Sequence, residues 1–176
     1  RMDSSSGGIF TLAAQYILKQ NGYVCGAAYT DNYEKVEHIL ISDESELPRL
    51  RGSKYVQSDM GQNYRRIQEI LKDGKLVLFT GCPCQVAGLY KFLGHEYDNL
   101  FTMDLVCHGV PSPKVFRKFI LQRKKEHGAI KSLSFRDKKK YGWTHSTTIE
   151  FFNGSTYQKY RTDSSYMKSF LSLLSL

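Results

Sequence analysis

Cysteine is scarce in this chain: Cys25, Cys82, Cys84 and Cys107 are the only four in 176 residues, and no secretory signal with a charged start and apolar core precedes them. So sparse a set, with two members only two positions apart, argues against a secreted disulfide scaffold. It suits a reducing, cytoplasmic setting in which thiol or metal chemistry is the better reading. Long apolar runs are missing too. The 41% hydrophobic share is too interrupted for a membrane span and too high for disorder, which leaves a globular chain near the size of one domain. Acidic residues are outnumbered, 17 against 25 Lys and Arg, for a formal charge of +8 that favours acidic partners such as phosphates or nucleotides. No internal repeat or low-complexity tract is present.

What is there reads as alternating strands and helices. Ile9, Phe10, Leu12, Ala13, Tyr16, Ile17 and Leu18 describe one helical face ended by Gly22. Tyr23 to Tyr29 and Val36 to Ile41 read as neighbouring strands, and Gln62 to Lys72 as a helix. Leu76 to Thr80 and Leu100 to Val106 are short apolar runs of the kind buried on both faces of a parallel sheet; helices follow each, from Gln85 to Leu93 and from Lys114 to about Glu126. Ile130 to Phe135 and Thr147 to Phe152 alternate as strands, and Asn153-Gly154 marks a hairpin turn. The predicted fold is α/β: a mostly parallel sheet with flanking helices and a small antiparallel hairpin near the C-terminus. Residues 1–176 are read as a single core, and the Ser-Gly-rich start resembles the interior of a longer protein.

In such sheets ligands bind beyond the carboxyl ends of the strands, where loops converge and helix N-termini present free amides. Two strand-end loops carry the unusual residues: Thr80-Gly81-Cys82-Pro83-Cys84-Gln85 and Cys107-His108-Gly109-Val110-Pro111-Ser112-Pro113. A cysteine at a helix start is biased towards thiolate, able to bind metal or attack an electrophile. Cys-Pro-Cys is neither a Cys-x-x-Cys redox site nor a structural zinc pair. Cys25, mid-strand between Val24 and Gly26, reads as packing, and His108 as either a proton donor or a hydrogen-bonded structural histidine.

Four ordered blocks, Ser4-Ser5-Ser6-Gly7-Gly8-Ile9-Phe10, Arg51 to Ser58, Gly81 to Leu89 and Asp104 to Pro113, resemble the coenzyme F420 hydrogenase/dehydrogenase beta-subunit family. The resemblance implies a flavin-dependent oxidoreductase: FAD, or else FMN, held by the α/β core, iron-sulfur clusters relaying electrons, and hydride transfer with a deazaflavin (coenzyme F420) or another acceptor. Implied partners are an electron-transfer protein or ferredoxin-like domain. Family members commonly carry a cysteine-rich segment before this region and more cysteines after it, so an intact cluster is not expected from these residues by themselves.

Carried onto this sequence, Ser4, Ser5, Ser6, Gly7 and Gly8 at a helix start and Lys54 would meet the flavin phosphates, and Tyr55 would stack on a ring, beside Gln57. Thr80, Gly81, Pro83, Gln85 and Gly109 would lie near the isoalloxazine. Cys84, Cys107 and His108 would be the chemically active residues, with Cys84 and Cys107 as metal ligands in one shared cavity and Cys82 and Cys25 dispensable. Lys114 to Lys125 and Arg136 to Lys140 would form a positive docking face. Two other classes compete: a nucleic-acid or polyanion module, supported by charge with Tyr141 and Trp143 beside Lys138 to Lys140, and a cysteine-nucleophile enzyme using Cys84 or Cys107 with His108. Neither accounts for the four blocks together, and a nucleic-acid partner is not expected.

Overall fold

The computed structural model describes residues 7–138, 142–143 and 146–172. Ser4 to Ser6, Lys139, Lys140 and Tyr141, all named above, lie outside the described residues.

Helix α1 (Ile9–Lys19) starts after Gly8, whose φ of 87° lies in the left-handed region that favours glycine. Ala14, Ile17 and Leu18 face inward. Ile9, Leu12 and Tyr16 instead stand about two-thirds exposed, so the single apolar face predicted for this helix is split in two. Strands β1 (Tyr23–Tyr29) and β2 (Val36–Ile41) follow, then a short turn of helix and α2 (Leu47–Leu50), α3 (Asn63–Lys72), β3 (Val77–Gly81), α4 (Pro83–Leu93) and β4 (Leu100–Asp104). The four strands lie in the order β2-β1-β3-β4. β2 runs antiparallel to β1, while β1, β3 and β4 are parallel, which gives the mostly parallel sheet read from the sequence.

Alternation along β1 and β3 divides this sheet between two helical layers. Val24 and Leu78 pack with Ala14, Ile17 and Leu18 of α1 and Leu47 and Leu50 of α2. Cys25, Val77 and Phe79 pack on the opposite face with Ile67 and Leu71 of α3 and Leu89 and Leu93 of α4. Cys25 is therefore a core residue, as its sequence context indicated, and burial pushes its thiol up to about 12.

β3 is buried on both faces, as its apolar run implied. β4 is not: it is the sheet's outer strand, no residue of it is fully buried, and it ends at Asp104 rather than Val106. An apolar run carries no sign of whether a further strand will cover its outer edge.

Helix α5 (Pro113–His127), capped by Ser112, leads into the antiparallel sheet β5 (Ile130–Ser134), β6 (Ser146–Phe151) and β7 (Thr156–Tyr160), followed by α6 (Ser165–Leu171). Asn153-Gly154 makes the β6–β7 turn, with Gly154 at φ 83°. Phe116, Phe119 and Ile120 of α5 meet Ile149 and Phe151 of β6 and Tyr166, Met167 and Phe170 of α6 in a third, aromatic-rich core. No described helix is long and apolar enough to cross a membrane.

Candidate functional site

The chain turns sharply where β3 ends. Gly81 pairs with Asp104 of β4, and a Cβ on Gly81 would lie 2.9 Å from Gln85 Oε1, so a side chain here would displace the glutamine. Cys82 caps α4: its carbonyl accepts the Gln85 backbone N–H at 2.9 Å, and Gln85 Oε1 accepts the Cys82 N–H at 2.9 Å. Pro83, which has no N–H to leave unsatisfied, takes the first helical position. The glutamine of this turn is thus a brace, buried with its oxygen turned to the backbone.

Behind the turn runs a buried chain of polar groups that the sequence did not announce. His38 of β2 stacks on Phe79 with ring centroids 5.5 Å apart. Its Nε2 lies 3.0 Å from the Thr80 carbonyl oxygen and its Nδ1 3.0 Å from Ser58 Oγ, which accepts from Gln85 Nε2 at 2.8 Å. A carbonyl can only accept and an amide nitrogen only donate, so the directions are forced. Gln85 donates to Ser58, Ser58 to His38 Nδ1, and the Nε2–H of a neutral imidazole to Thr80. Burial, with Lys54 nearby, holds the His38 pKa below its ordinary 6.5 and keeps the ring in that neutral state. Asn63 donates to the His38 carbonyl at 2.6 Å, and Tyr64 to the Gln85 carbonyl at 2.7 Å.

Three of the four cysteines gather in front of the turn. Cys84 and Cys107 are exposed, and Cys82 is partly buried within electrostatic reach of both. Cys82 therefore stands in the thiol group with Cys107, and the bias towards thiolate does not hold for it. Burial, then the Cys107 thiol, then Cys84 push its pKa up to about 12, because the free amides of α4 count for less than lost solvent and neighbouring sulfurs. Among the described residues, no group of three His, Cys, Asp or Glu side chains has the geometry to hold a metal ion.

The other predicted residues are spread around this turn. The Gln57 N–H donates to the Pro111 carbonyl at 3.1 Å, which ties the loop before α3 to the loop before α5. His108 is exposed, edge-on to Phe170 at 5.6 Å, and Gly109 has φ 128°. Tyr55 packs against Phe135 and Phe170, so its ring belongs to the aromatic core. At the start of α1, Gly7 has open space around it and Gly8 offers no side-chain cap, leaving the first-turn amides unclaimed by any side chain among the described residues.

Lys54 Nζ donates to the carbonyls of Leu50, Arg51 and Gly52 at 3.3, 2.9 and 3.1 Å, at the C-terminal end of α2. Burial lowers its pKa to about 7, against those carbonyls, which favour the ammonium. It borders a cleft of about 410 Å³ that Arg49, Arg51, Lys131 and the rings of Tyr29, Tyr33 and Phe152 also line.

Residues 74–168, from just before β3 into α6, match the family described as the C-terminal part of the coenzyme F420 hydrogenase/dehydrogenase beta subunit. No curated protein matches the chain. Among solved structures, a chain of the F420-reducing NiFe hydrogenase complex from Methanosarcina barkeri, determined with xenon derivatization, is similar to this one with a TM-score of 0.60 and 16% identity. The match covers 90% of this chain and 55% of that one, so this chain spans little more than half the length of its structural neighbour. At such low identity the likeness speaks for the fold.

Proposed function

Because the chain belongs to the coenzyme F420 hydrogenase/dehydrogenase beta-subunit family, we propose that it is the flavin-binding core of an oxidoreductase. It would pass electrons between a flavin, FAD or FMN, and an iron-sulfur partner, with a deazaflavin (coenzyme F420) or another acceptor taking hydride. A bound flavin supplies the step between one-electron and hydride chemistry; the protein supplies position and electrostatics. The observation that carries this reading is the family match over residues 74–168, which takes in the strand-end loops that hold Cys82, Cys84 and Cys107.

The residues suit a flavin in two places. The uncapped first turn of α1, beginning at Gly7 and Gly8, offers backbone amides to a phosphate, and the basic cleft beside Lys54 offers positive charge. Pro83, Cys84 and Gly109 would border the ring. Thr80, Gly81 and Gln85 would shape the turn from behind, since Thr80 O and Gln85 Oε1 are taken by internal bonds. Tyr55 fits less well, because its ring is held in the core.

An iron-sulfur cluster needs four ligands, commonly thiolates. The exposed thiols of Cys84 and Cys107 can contribute two, and the remainder would come from outside the described residues. The domain would then be one part of a longer iron-sulfur flavoprotein.

An absorbance spectrum of the full-length protein purified without oxygen, with iron and flavin content, tests this reading. Flavin bands and stoichiometric iron are expected, with iron reduced in Cys84→Ser and Cys107→Ser but retained in Cys25→Ala. Colourless protein without flavin or iron would exclude it.

A further inference from the structure

The Thr80–Cys84 turn has two backbone groups that flank Gly81: the Thr80 carbonyl and the Cys82 N–H. Both are drawn inward, the first by His38 Nε2 at 3.0 Å and the second by Gln85 Oε1 at 2.9 Å. One hydroxyl joins the two anchors, since Ser58 Oγ lies 3.0 Å from His38 Nδ1 and 2.8 Å from Gln85 Nε2. We propose that His38, Ser58 and Gln85 form a positioning relay that fixes the orientation of this turn and so decides which of its groups face the redox partner. The functional consequence rests on the flavin reading; the relay itself does not.

The relay fixes the turn by using up hydrogen-bonding capacity. With Nε2–H committed to Thr80, the neutral imidazole has a single acceptor left, Nδ1, and Ser58 fills it. With its hydroxyl hydrogen committed, Ser58 can receive only the Gln85 amide, which leaves Gln85 Oε1 pointing at Cys82. Rotating any member breaks a bond at both of its ends, and a buried polar group left unsatisfied costs more than one exchanged for water.

The members come from three separate pieces of chain: β2, the loop before α3, and the first turn of α4. Neighbours clamp them further, Phe79 by stacking on His38, Asn63 by donating to the His38 carbonyl and Tyr64 by donating to the Gln85 carbonyl. The outward side of the turn is left with the exposed Cys84 thiol. None of the three relay members is in the metal-binding set, so they act through the turn rather than on a ligand.

The experiment uses the full-length protein. Nitrogen-15 NMR of labelled histidine should show His38 as the neutral Nε2–H tautomer at pH 7. In Ser58→Ala, amide exchange at Cys82 should rise about tenfold, as expected for one lost buried hydrogen bond, while exchange at Leu78 of β3 stays as it was. The His38 Nδ1 resonance should move to the position of an unbonded ring nitrogen. Gln85→Ala should release Cys82 in the same way and leave the Nε2–H tautomer intact. The midpoint potential of the bound redox cofactor should shift in Ser58→Ala but not in Ile149→Ala, a variant of the aromatic-rich third core, which contains no relay member.

Unchanged Cys82 exchange in both relay variants, or a rise shared equally by Leu78, overturns the relay. An unchanged potential overturns its positioning role. Exchange and NMR need no bound cofactor, so a colourless protein would sink the flavin reading while these two readouts still judged the relay.

Discussion

Glu34, in the turn between β1 and β2, accepts from two cations of α5 at once: Arg117 at 3.3 Å and Lys124 at 2.7 Å. Together they hold the glutamate carboxyl below its usual range, the Lys124 hydrogen bond leading. This bridge sorts the positive charge of the helix into two sets. Arg117 and Lys124 are neutralised locally, and Arg123 pairs with Glu126. Lys114, Lys118 and Lys125 make no ion pair among the described residues and fall on one face at spacings of four and seven.

The docking prediction therefore narrows to that face. Lys118→Glu should slow reduction by an acidic electron-transfer partner several-fold at low ionic strength, and the difference should vanish as salt rises towards 1 M, where the Debye length is about 3 Å. Arg117→Gln should have a smaller effect. Stopped-flow rates across a salt series measure both, and a rate constant independent of salt would remove the face from consideration.

Gly81→Ala should destabilise the fold by about 1–3 kcal/mol, the usual cost of forcing an extra methyl into filled space. The added Cβ meets Gln85 Oε1 at 2.9 Å, so the cost falls on the brace of the turn. Urea unfolding of variant and wild type gives the difference. Gly74→Ala is the comparison: it has open space around it and only the positive φ of 73° to resist a side chain.

If the proposed flavin phosphates lie beside Lys54, their binding is pH-dependent in one direction. The lysine pKa of about 7 means that the ammonium is lost as pH rises through neutrality. Affinity for the flavin phosphates should fall over that window and hold steady below it. Titration of the apoprotein between pH 6 and 9 should show the fall in wild type and a flatter profile in Lys54→Arg, whose charge persists. Lys54→Ala should weaken binding several-fold at pH 6 through loss of a nearby positive charge, since the three ammonium N–H groups already donate to backbone carbonyls. Equal affinity in wild type and Lys54→Ala would move the phosphates elsewhere.

His38 adds an acid sensitivity to folding. Its folded pKa lies below the ordinary 6.5, so between those two values the unfolded chain binds a proton that the folded one refuses. The contribution of the neutral ring is complete above pH 6.5 and is lost as pH falls beneath it. Melting temperature measured from pH 7.5 to 5 should drop more steeply in wild type than in His38→Gln.

Much of the frame was legible in the sequence because its signals are local. The run ending at Gly81, the helix stop at Gly94 and the Asn153-Gly154 turn each lie within a few residues of what they determine. The strand-end loops, and the cysteines in them, followed from that frame. The relay was not legible, because His38 meets Thr80 across 42 positions and Ser58 meets Gln85 across 27. One signal was present: His38 shares the inward register of β2 with Val36, and a polar ring on a buried face must find partners. The position of Cys82 within the thiol group was hidden for a related reason, since spacing shows that two cysteines are close along the chain and not which of them turns towards Cys107.

The strand order has a kinetic consequence. β1 finds β2 within a short hairpin, but its other edge waits for β3, and Tyr23 pairs with Val77 across 54 positions. Closing so long a loop comes late, because its entropic cost precedes any reward from contacts. During synthesis the β1–β2 hairpin therefore stands with one apolar edge open until the segment from Leu76 to Gly81 has left the ribosome. In that interval the nascent chain is most exposed to mispairing and to chaperone capture. Slower translation between Ile41 and Leu76 should lengthen this vulnerable period without altering the finished protein.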